Sequence, residues 1–254
     1  MSRVPFVIAE FGSCHEQSFT RALEGIAVAK RADADAVKYQ YWSSPQRMRE
    51  RRHVDDPQAY ERGSVLTTWL PLLSDEAHEL GLEFMCAAYL PGDIKIVAPY
   101  VDRFKLASFE ARDPEMWRAL KGHEGHVVVS LGMTTEEDLD DIPDLTWTLH
   151  CVSAYPTPLE EASLGAIWHG HGYSDHTNCV YTGGFAVSAG ADMLEVHFRL
   201  DDTSKACPDY VVAHPPASLT EYIRLARLAH MMRGDGVKRP QPSEVPMMKY
   251  RVLG

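Results

Sequence analysis

No stretch of the sequence approaches the roughly 18 consecutive apolar residues that a membrane-spanning helix needs. None of the five cysteines falls in a CxxC pair. The first absence removes helical membrane proteins. The second, with an odd and scattered set (Cys14, Cys86, Cys151, Cys179, Cys207), reads as reduced thiols in a cytoplasmic protein rather than a disulfide framework. Positive charge is also scarce: 25 Lys and Arg against 36 Asp and Glu leave a net charge of -11. That excludes broad nucleic-acid binding, which needs a basic face to replace counterions. An anionic substrate would then need a local basic pocket. The N-terminal MSRVPFVIAEFGS has one Arg and too short an apolar run for a secretory signal, so it reads as a first strand.

What is present is alternation. The 254 residues, 45% of them hydrophobic, match the roughly 250 of a single TIM-type barrel. Short apolar runs at 4–11, 34–40, 82–87, 103–107, 127–131, 147–151, 169–174 and 193–198 read as strands. Segments 18–32, 69–80, 92–99, 113–120, 135–140, 160–167, 179–189 and 218–232 read as the helices between and after them. Strict βα alternation implies parallel strands with helical crossovers. Eight units point to an α/β fold, a (β/α)8 TIM barrel forming one domain over 1–233, although the count alone leaves an open sheet standing. Residues 234–254 read as an extended arm. Residues 41–68 break the pattern: they carry arginines at 47, 49, 51, 52 and 62 with little periodicity. A long βα loop lies on the catalytic face of a barrel, so this one is either a cover for the mouth or a solvated loop.

Catalytic groups of such a barrel sit at the C-terminal strand ends. Here those ends are polar: Glu10, Lys38 and Gln40, Lys105 with Ser108 and Glu110, Ser130, Ser153 and Tyr155, Ser174 with Asp175 and His176, and Glu195 with His197. Two lysines aimed at one mouth would repel, and a shared anion explains them. The serines suit phosphate, because hydroxyls donate to its oxygens. Most of the 12 histidines have ordinary explanations, His78, His123, His126 and His230 among them. His176 and His197 differ: they end neighbouring strands and have Asp175 and Glu195 beside them, a divalent-metal arrangement with carboxylates in or behind the ligand set.

Seven segments in order resemble the N-acetylneuraminate (sialic acid) synthases and their legionaminic and pseudaminic acid relatives, over about residues 6–250. They are IAEFGSCHEQS (8–18), DAVKYQ (35–40), FKLASFE (104–110), VVSLGMTT (128–135), LHCVSAYPTPLEEASL (149–164), GYSDHT (172–177), and GADMLEVHF (190–198) followed by CPD (207–209). The resemblance implies a phosphoenolpyruvate-dependent transferase that makes a carbon–carbon bond to a sugar-like aldehyde, in carbohydrate biosynthesis. It implies that Lys38, Lys105, Ser108, Ser130 and Ser174 hold phosphoenolpyruvate and that Glu110 acts on the water attacking C2. Glu10, Gln40, Tyr155 and Asp209 would face the acceptor, with Ser153 beside them. His176 and His197 would hold a divalent metal, manganese in family terms with magnesium or cobalt as substitutes, supported by Asp175 and Glu195. A homodimer fits the same resemblance.

There are departures. The family's Ser-Thr-Pro after strand 3 is Cys86-Ala87-Ala88, its first-loop Asn is Cys14, and the Gly of its Gly-Pro-Asp segment is Cys207. The family's antifreeze-like domain, which caps the partner's site and reads the acceptor's acyl-amino group, is expected to be absent. The arm resembles the linker to it. The expectation is that the Arg-rich loop covers the mouth instead and that the acceptor differs from N-acetylmannosamine. Two other readings stay open: a metal-dependent keto-acid aldolase, and a degenerate paralogue that binds a phosphorylated metabolite.

Overall fold

A computed structural model describes residues 5–123, 126–144, 146–169 and 171–252. Eight strands close a barrel in chain order: β1 (Phe6–Glu10), β2 (Ala36–Tyr41), β3 (Glu83–Ala88), β4 (Arg103–Leu106), β5 (Val127–Ser130), β6 (Trp147–His150), β7 (Gly172–Asp175) and β8 (Met193–His197). Every neighbouring pair is parallel, including the closing pair β1–β8. The open-sheet alternative is thereby excluded.

The α-helices are α1 (Phe19–Arg31), α2 (Pro45–Arg52), α3 (Leu70–Glu79), α4 (Ile94–Val97), α5 (Pro114–Ala119), α6 (Thr182–Ala189) and α7 (Pro216–Arg233). Two expected helices are not α-helical. The β5–β6 and β6–β7 crossovers carry 3-10 turns at Glu137–Asp141, Leu159–Glu161 and Leu164–His169. Consecutive acids in EEDLDD repel along one turn, and Pro143, Pro156 and Pro158 interrupt the rest. The Arg-rich loop, expected without regular structure, contains α2. Ser44 caps it by accepting from the Arg47 N–H, and Pro45 sits at its first turn. Periodicity missed it because Met48 is the one buried side chain in PQRMRERR. The expected extended arm is wound into an exposed 3-10 segment, Pro242–Tyr250.

Strand parity divides the core. Val7, Ala9, Val37, Phe84, Val127, Val129, Leu194 and Val196 face outward beneath the helices. Ile8, Ala36, Met85, Val128, Leu149 and Met193 fill the lower interior. Two residues further along each strand, the same inward face presents Glu10, Lys38, Lys105, Ser130, Ser174 and Glu195. An apolar plug thus closes the bottom of the barrel, and a polar layer rests on it. Cys86 and Ala88 belong to the outer core, which leaves Ala87 as the one departure after strand 3 on the inward parity.

Gly172 lets β7 lie against β8: a Cβ there would stand 2.1 Å from the Met193 carbonyl oxygen and 2.9 Å from Leu149 Cδ2. Gly172→Ala must push the strands apart and should cost about 1–3 kcal/mol in urea unfolding. Gly165→Ala, where a Cβ meets nothing within 4 Å, should stay within about 0.5 kcal/mol of the parent. Equal stability of the two variants would contradict this packing.

Candidate active site

A cavity of ≈ 130 Å³ opens at the C-terminal strand ends directly above the apolar plug. A larger one of ≈ 260 Å³ beside the β5 and β6 loops is lined by Glu136, His150 and Cys151 but by no lysine or arginine, so the basic groups lie in the smaller. Its floor is the polar layer. Glu10 pairs in register with Lys38 and with His197, and Ser174 pairs with Glu195. Lys38 Nζ lies 2.8 Å from Glu10 Oε2 and 3.4 Å from Glu195 Oε2. Lys105 Nζ donates to Ser130 Oγ at 2.7 Å and stands 3.6 Å from Glu195 Oε1, which also accepts from Ser174 Oγ at 2.8 Å. The shared anion that the two lysines demanded is thus supplied from within the chain: Glu195 lies between them.

These charges are buried; Lys38 and Lys105 are each 4% exposed. Burial works against Lys38, yet Glu10 and Glu195 outweigh it and hold its ammonium above the usual lysine range. Burial raises Glu195, but Lys105, Lys38 and His197 pull it well below the usual carboxylate range. Glu10 is pushed up to about 7 by burial, with Lys38 opposing. Lys105 is lowered by burial and by Lys38. Lys38 and Lys105 therefore gather two basic groups around Glu195 and the raised carboxyl of Glu10, with Asp209 at the edge, a local concentration of cations in a protein of net charge -11. An anion is the complement of that floor.

On the far wall the His176 and His197 rings stand 5.4 Å apart, centroid to centroid. His176 Nδ1 lies 2.9 Å from the Val152 carbonyl oxygen. That oxygen can only accept, so Nδ1 carries the proton and Nε2 keeps a free lone pair. Burial pushes His176 down to about 4, His197 adding to the effect, and also lowers His197. Both imidazoles are neutral at pH 7, the form that ligates metal. His197 Nδ1 is buried without a hydrogen bond, 3.9 Å from Asp209 Oδ1. Two neutral imidazoles, one with an orphaned nitrogen, fit a divalent cation. Among the described residues no group of three or more His, Cys, Asp and Glu is arranged around one point, so substrate or water would have to complete its shell. Asp175, expected beside the metal, is not there. Parity turns it to the outer face, where it accepts from the Thr177 N–H and hydroxyl at 2.8 and 2.7 Å.

Eleven of the thirteen expected site residues line the cavity: Glu10, Lys38, Gln40, Lys105, Ser108, Ser130, Tyr155, Ser174, His176, His197 and Asp209. Ser153 and Glu110 do not. The Ser153 hydroxyl turns to the Gly132 backbone, where an added Cβ would meet it at 2.2 Å. Glu110 is buried at the rim, and Arg52 Nη2 donates to its Oε1 at 2.5 Å. Burial raises Glu110 to about 7 despite Arg52, Arg51 and Lys105.

Two neighbours were not foreseen. Tyr89 lines the cavity and donates its hydroxyl to Gln40 Oε1 at 3.1 Å. Arg52 stacks over Phe109 at 4.2 Å while holding Glu110. Tyr89 follows β3 directly, a position that strand-end reasoning could have flagged; nothing distinguished Arg52 from the arginines around it. The loop bearing Arg52 folds onto the β2–β4 side of the mouth. Trp42 is buried with Met48 and Leu90, and its Nε1 donates to the Tyr60 carbonyl at 2.8 Å. Trp42 is therefore a packing residue and not a free stacking platform. Arg49, Arg51 and Arg52 pair with Glu61, Asp113 and Glu110, so three of the five arginines satisfy carboxylates of this chain.

Known proteins resemble this chain in sequence and in fold. An uncharacterised protein of Methanocaldococcus jannaschii is 28% identical over 94% of this chain and 75% of its own length. The N,N'-diacetyllegionaminic acid synthase of Legionella pneumophila is 27% identical over 95% of this chain and 77% of its own. The crystal structure of an N-acetylneuraminic acid synthetase from Leptospira borgpetersenii in complex with citrate superposes with a TM-score of 0.87 at 24% identity, covering 97% of this chain and 91% of that one, which shows the shared fold. The NeuB family profile matches residues 25–238, nearly the whole barrel, and the chain belongs to the NeuB family.

Proposed function

We propose that the protein condenses phosphoenolpyruvate with the aldehyde of a sugar-like acceptor, releasing phosphate and forming a 2-keto-3-deoxy sugar acid. The observation that carries this is the floor of the cavity: Lys38 and Lys105, 4% exposed and bridged by Glu195, beside the hydroxyls of Ser130 and Ser174. Buried ammoniums with adjacent hydroxyls suit a phosphate and a carboxylate on one small molecule. The family relatives named as sugar acid synthases support the same reading.

In this reading Lys105, Ser108 and Ser130 hold the phosphate, and Lys38 with Ser174 holds the carboxylate. C3 of the enol then faces the imidazole wall. His176 and His197 would hold the divalent metal, manganese with magnesium or cobalt as substitutes, which when bound polarises the acceptor aldehyde as a Lewis acid. Gln40, Tyr155 and Asp209 line the acceptor side, and Glu10 reaches it from β1. As C3 bonds to the aldehyde carbon, positive charge develops at C2. Water adds at C2, and Glu110, near neutrality in its titration, takes the proton. The hemiketal phosphate then collapses: the C2 hydroxyl gives up its proton, the C2–O bond to phosphate breaks as phosphate leaves with its bridging oxygen, and the C2 keto group forms. The protein works in the cytoplasm, as a homodimer in this reading.

Phosphate release from phosphoenolpyruvate with manganese, across a panel of aldehydes, tests the proposal. The product should carry the acceptor plus the pyruvyl unit by mass. Phosphoenolpyruvate binding without turnover on any aldehyde would favour the degenerate binder. Cleavage of a keto acid without phosphate chemistry would favour the aldolase.

The rim ion pair yields a further expectation. Arg52 lowers the Glu110 pKa, so Arg52→Ala should raise it. If ionised Glu110 is the active form, the acid limb of the pH–rate profile should move to higher pH. An unmoved limb would separate Arg52 from the chemistry.

A further inference from the structure

We propose that Cys14 and Cys207 form an oxidisable dithiol at the edge of the active cavity, which a hydroperoxide converts to a disulfide. Cys14 follows β1 and Cys207 lies in the loop after β8. They are 193 residues apart in sequence, yet their sulfurs stand 3.5 Å apart. Cys14 is fully buried, and Cys207 is 8% exposed. Both are positions where the sequence departs from the synthases it resembles, and the two departures meet in space. The structure places no second sulfur beside Cys86, Cys151 or Cys179 among its described hydrogen-bond contacts.

Access and polarity assign the roles. Cys207 lines a cavity of ≈ 390 Å³ that also borders Ser13, Gln17, Arg62 and Gly63, so a small oxidant reaches this sulfur first. Ser13 Oγ lies 3.2 Å from Cys207 Sγ. The Ser13 hydroxyl proton goes to Asp209 Oδ2, but the Cys14 thiol can donate to Cys207 Sγ, and that contact is the main one bringing Cys207 down to about 7. Cys14 is held far above the usual thiol range by that same contact and by burial. Cys207 is thus the attacking thiolate and Cys14 the resolving thiol.

The chemistry balances. The Cys207 thiolate attacks the terminal oxygen of the hydroperoxide; an S–O bond forms, the O–O bond breaks, and the alkoxide leaves and takes a proton. The Cys14 sulfur then attacks Cys207 Sγ and loses its proton; the S–S bond forms and the S–O bond breaks to release water. Two thiols and one hydroperoxide give one disulfide, one alcohol and one water. The sulfurs must close from 3.5 Å to about 2.05 Å, a loop adjustment rather than a refolding. Asp209 would feel it. It lies two residues past Cys207, accepts from the Ser13 N–H and hydroxyl at 2.7 and 2.6 Å, and lines the active cavity. Oxidation therefore ties the β1 and β8 loops together beside the imidazole wall.

The test treats the folded protein with hydrogen peroxide, counts thiols after denaturation, and maps the tryptic peptides. The count should fall by two, with a Cys14–Cys207 linked peptide lighter than its separate halves by two hydrogens and restored by dithiothreitol. In Cys14→Ser no bridge can form, and Cys207 should be trapped as a sulfenic acid by dimedone. A bridge between other cysteines, or irreversible Cys207 oxidation with no bridge in the parent protein, would overturn the proposal. The readout is sulfur chemistry alone, so it stands apart from whether the condensation is found.

Discussion

Lys105→Met should weaken phosphoenolpyruvate binding by roughly 30- to 4,000-fold while leaving the barrel folded. Lys105 is the better of the two lysines for this experiment. Its ammonium donates to Ser130 Oγ and to the Leu106 carbonyl, and lies 3.6 Å from Glu195. Methionine fills nearly the same volume and leaves Glu195 still paired with Lys38 at 3.4 Å and with Ser174 at 2.8 Å. Removing Lys105 also relieves a like-charge neighbour of Lys38. Truncating one partner of a buried charge-assisted contact typically costs about 2–5 kcal/mol, which gives the stated range at tenfold per 1.4 kcal/mol. Lys38→Met would be harder to interpret. It strips the counter-charge from Glu10 and weakens that of Glu195, and an uncompensated buried carboxylate destabilises by about 3–5 kcal/mol. Calorimetric titration of Lys105→Met with phosphoenolpyruvate is the measurement. Affinity equal to the parent's would remove Lys105 from the anion site and with it the main support for the proposed reaction.

The parts of this architecture that were legible share one property: each rests on a short-range period. Strands punctuated by Gly, Pro and Asp announce themselves, and alternation along a strand sends Glu10, Lys38, Lys105, Ser130 and Ser174 to one interior. The same alternation places Asp175 outside, between inward Ser174 and His176; reading it as a metal partner weighed proximity in sequence over parity. What was not legible depends on distance. Arg52 finds Glu110 across 58 residues, and Cys14 finds Cys207 across 193, pairings that no local pattern encodes. The helix α2 buries one side chain, so its capping chemistry decides it where hydrophobic periodicity is silent. The two 3-10 crossovers fail for the converse reason. They contain apolar residues at helical spacing, but acidic repulsion and proline prevent an α-helix from propagating.

Glu110→Gln should keep phosphoenolpyruvate affinity within a few fold and lower turnover by about 10²–10⁴-fold, the usual worth of a positioned acid or base. The side chain is 2% exposed, its Oε1 is held by Arg52, and its Oε2 has no hydrogen-bond partner. Such a carboxyl is poised to receive a proton on the free oxygen. Glutamine preserves shape and rim packing but cannot accept that proton. The same variant reports on pH. Burial raises the Glu110 pKa from 4.5 to about 7, so the folded state holds a proton that the unfolded chain has released. Its contribution to stability is fully present below about 4.5 and is lost as pH rises through about 7. Glutamine has no such dependence, and Glu10 and Glu195 cancel in the difference between the two proteins. Between pH 5 and pH 8 the urea-unfolding free energy of Glu110→Gln should therefore gain about 2.5 kcal/mol on that of the parent. Near-normal turnover in the variant would end the assignment of water activation to Glu110. A stability difference flat with pH would show instead that Arg52 keeps this carboxylate ionised throughout.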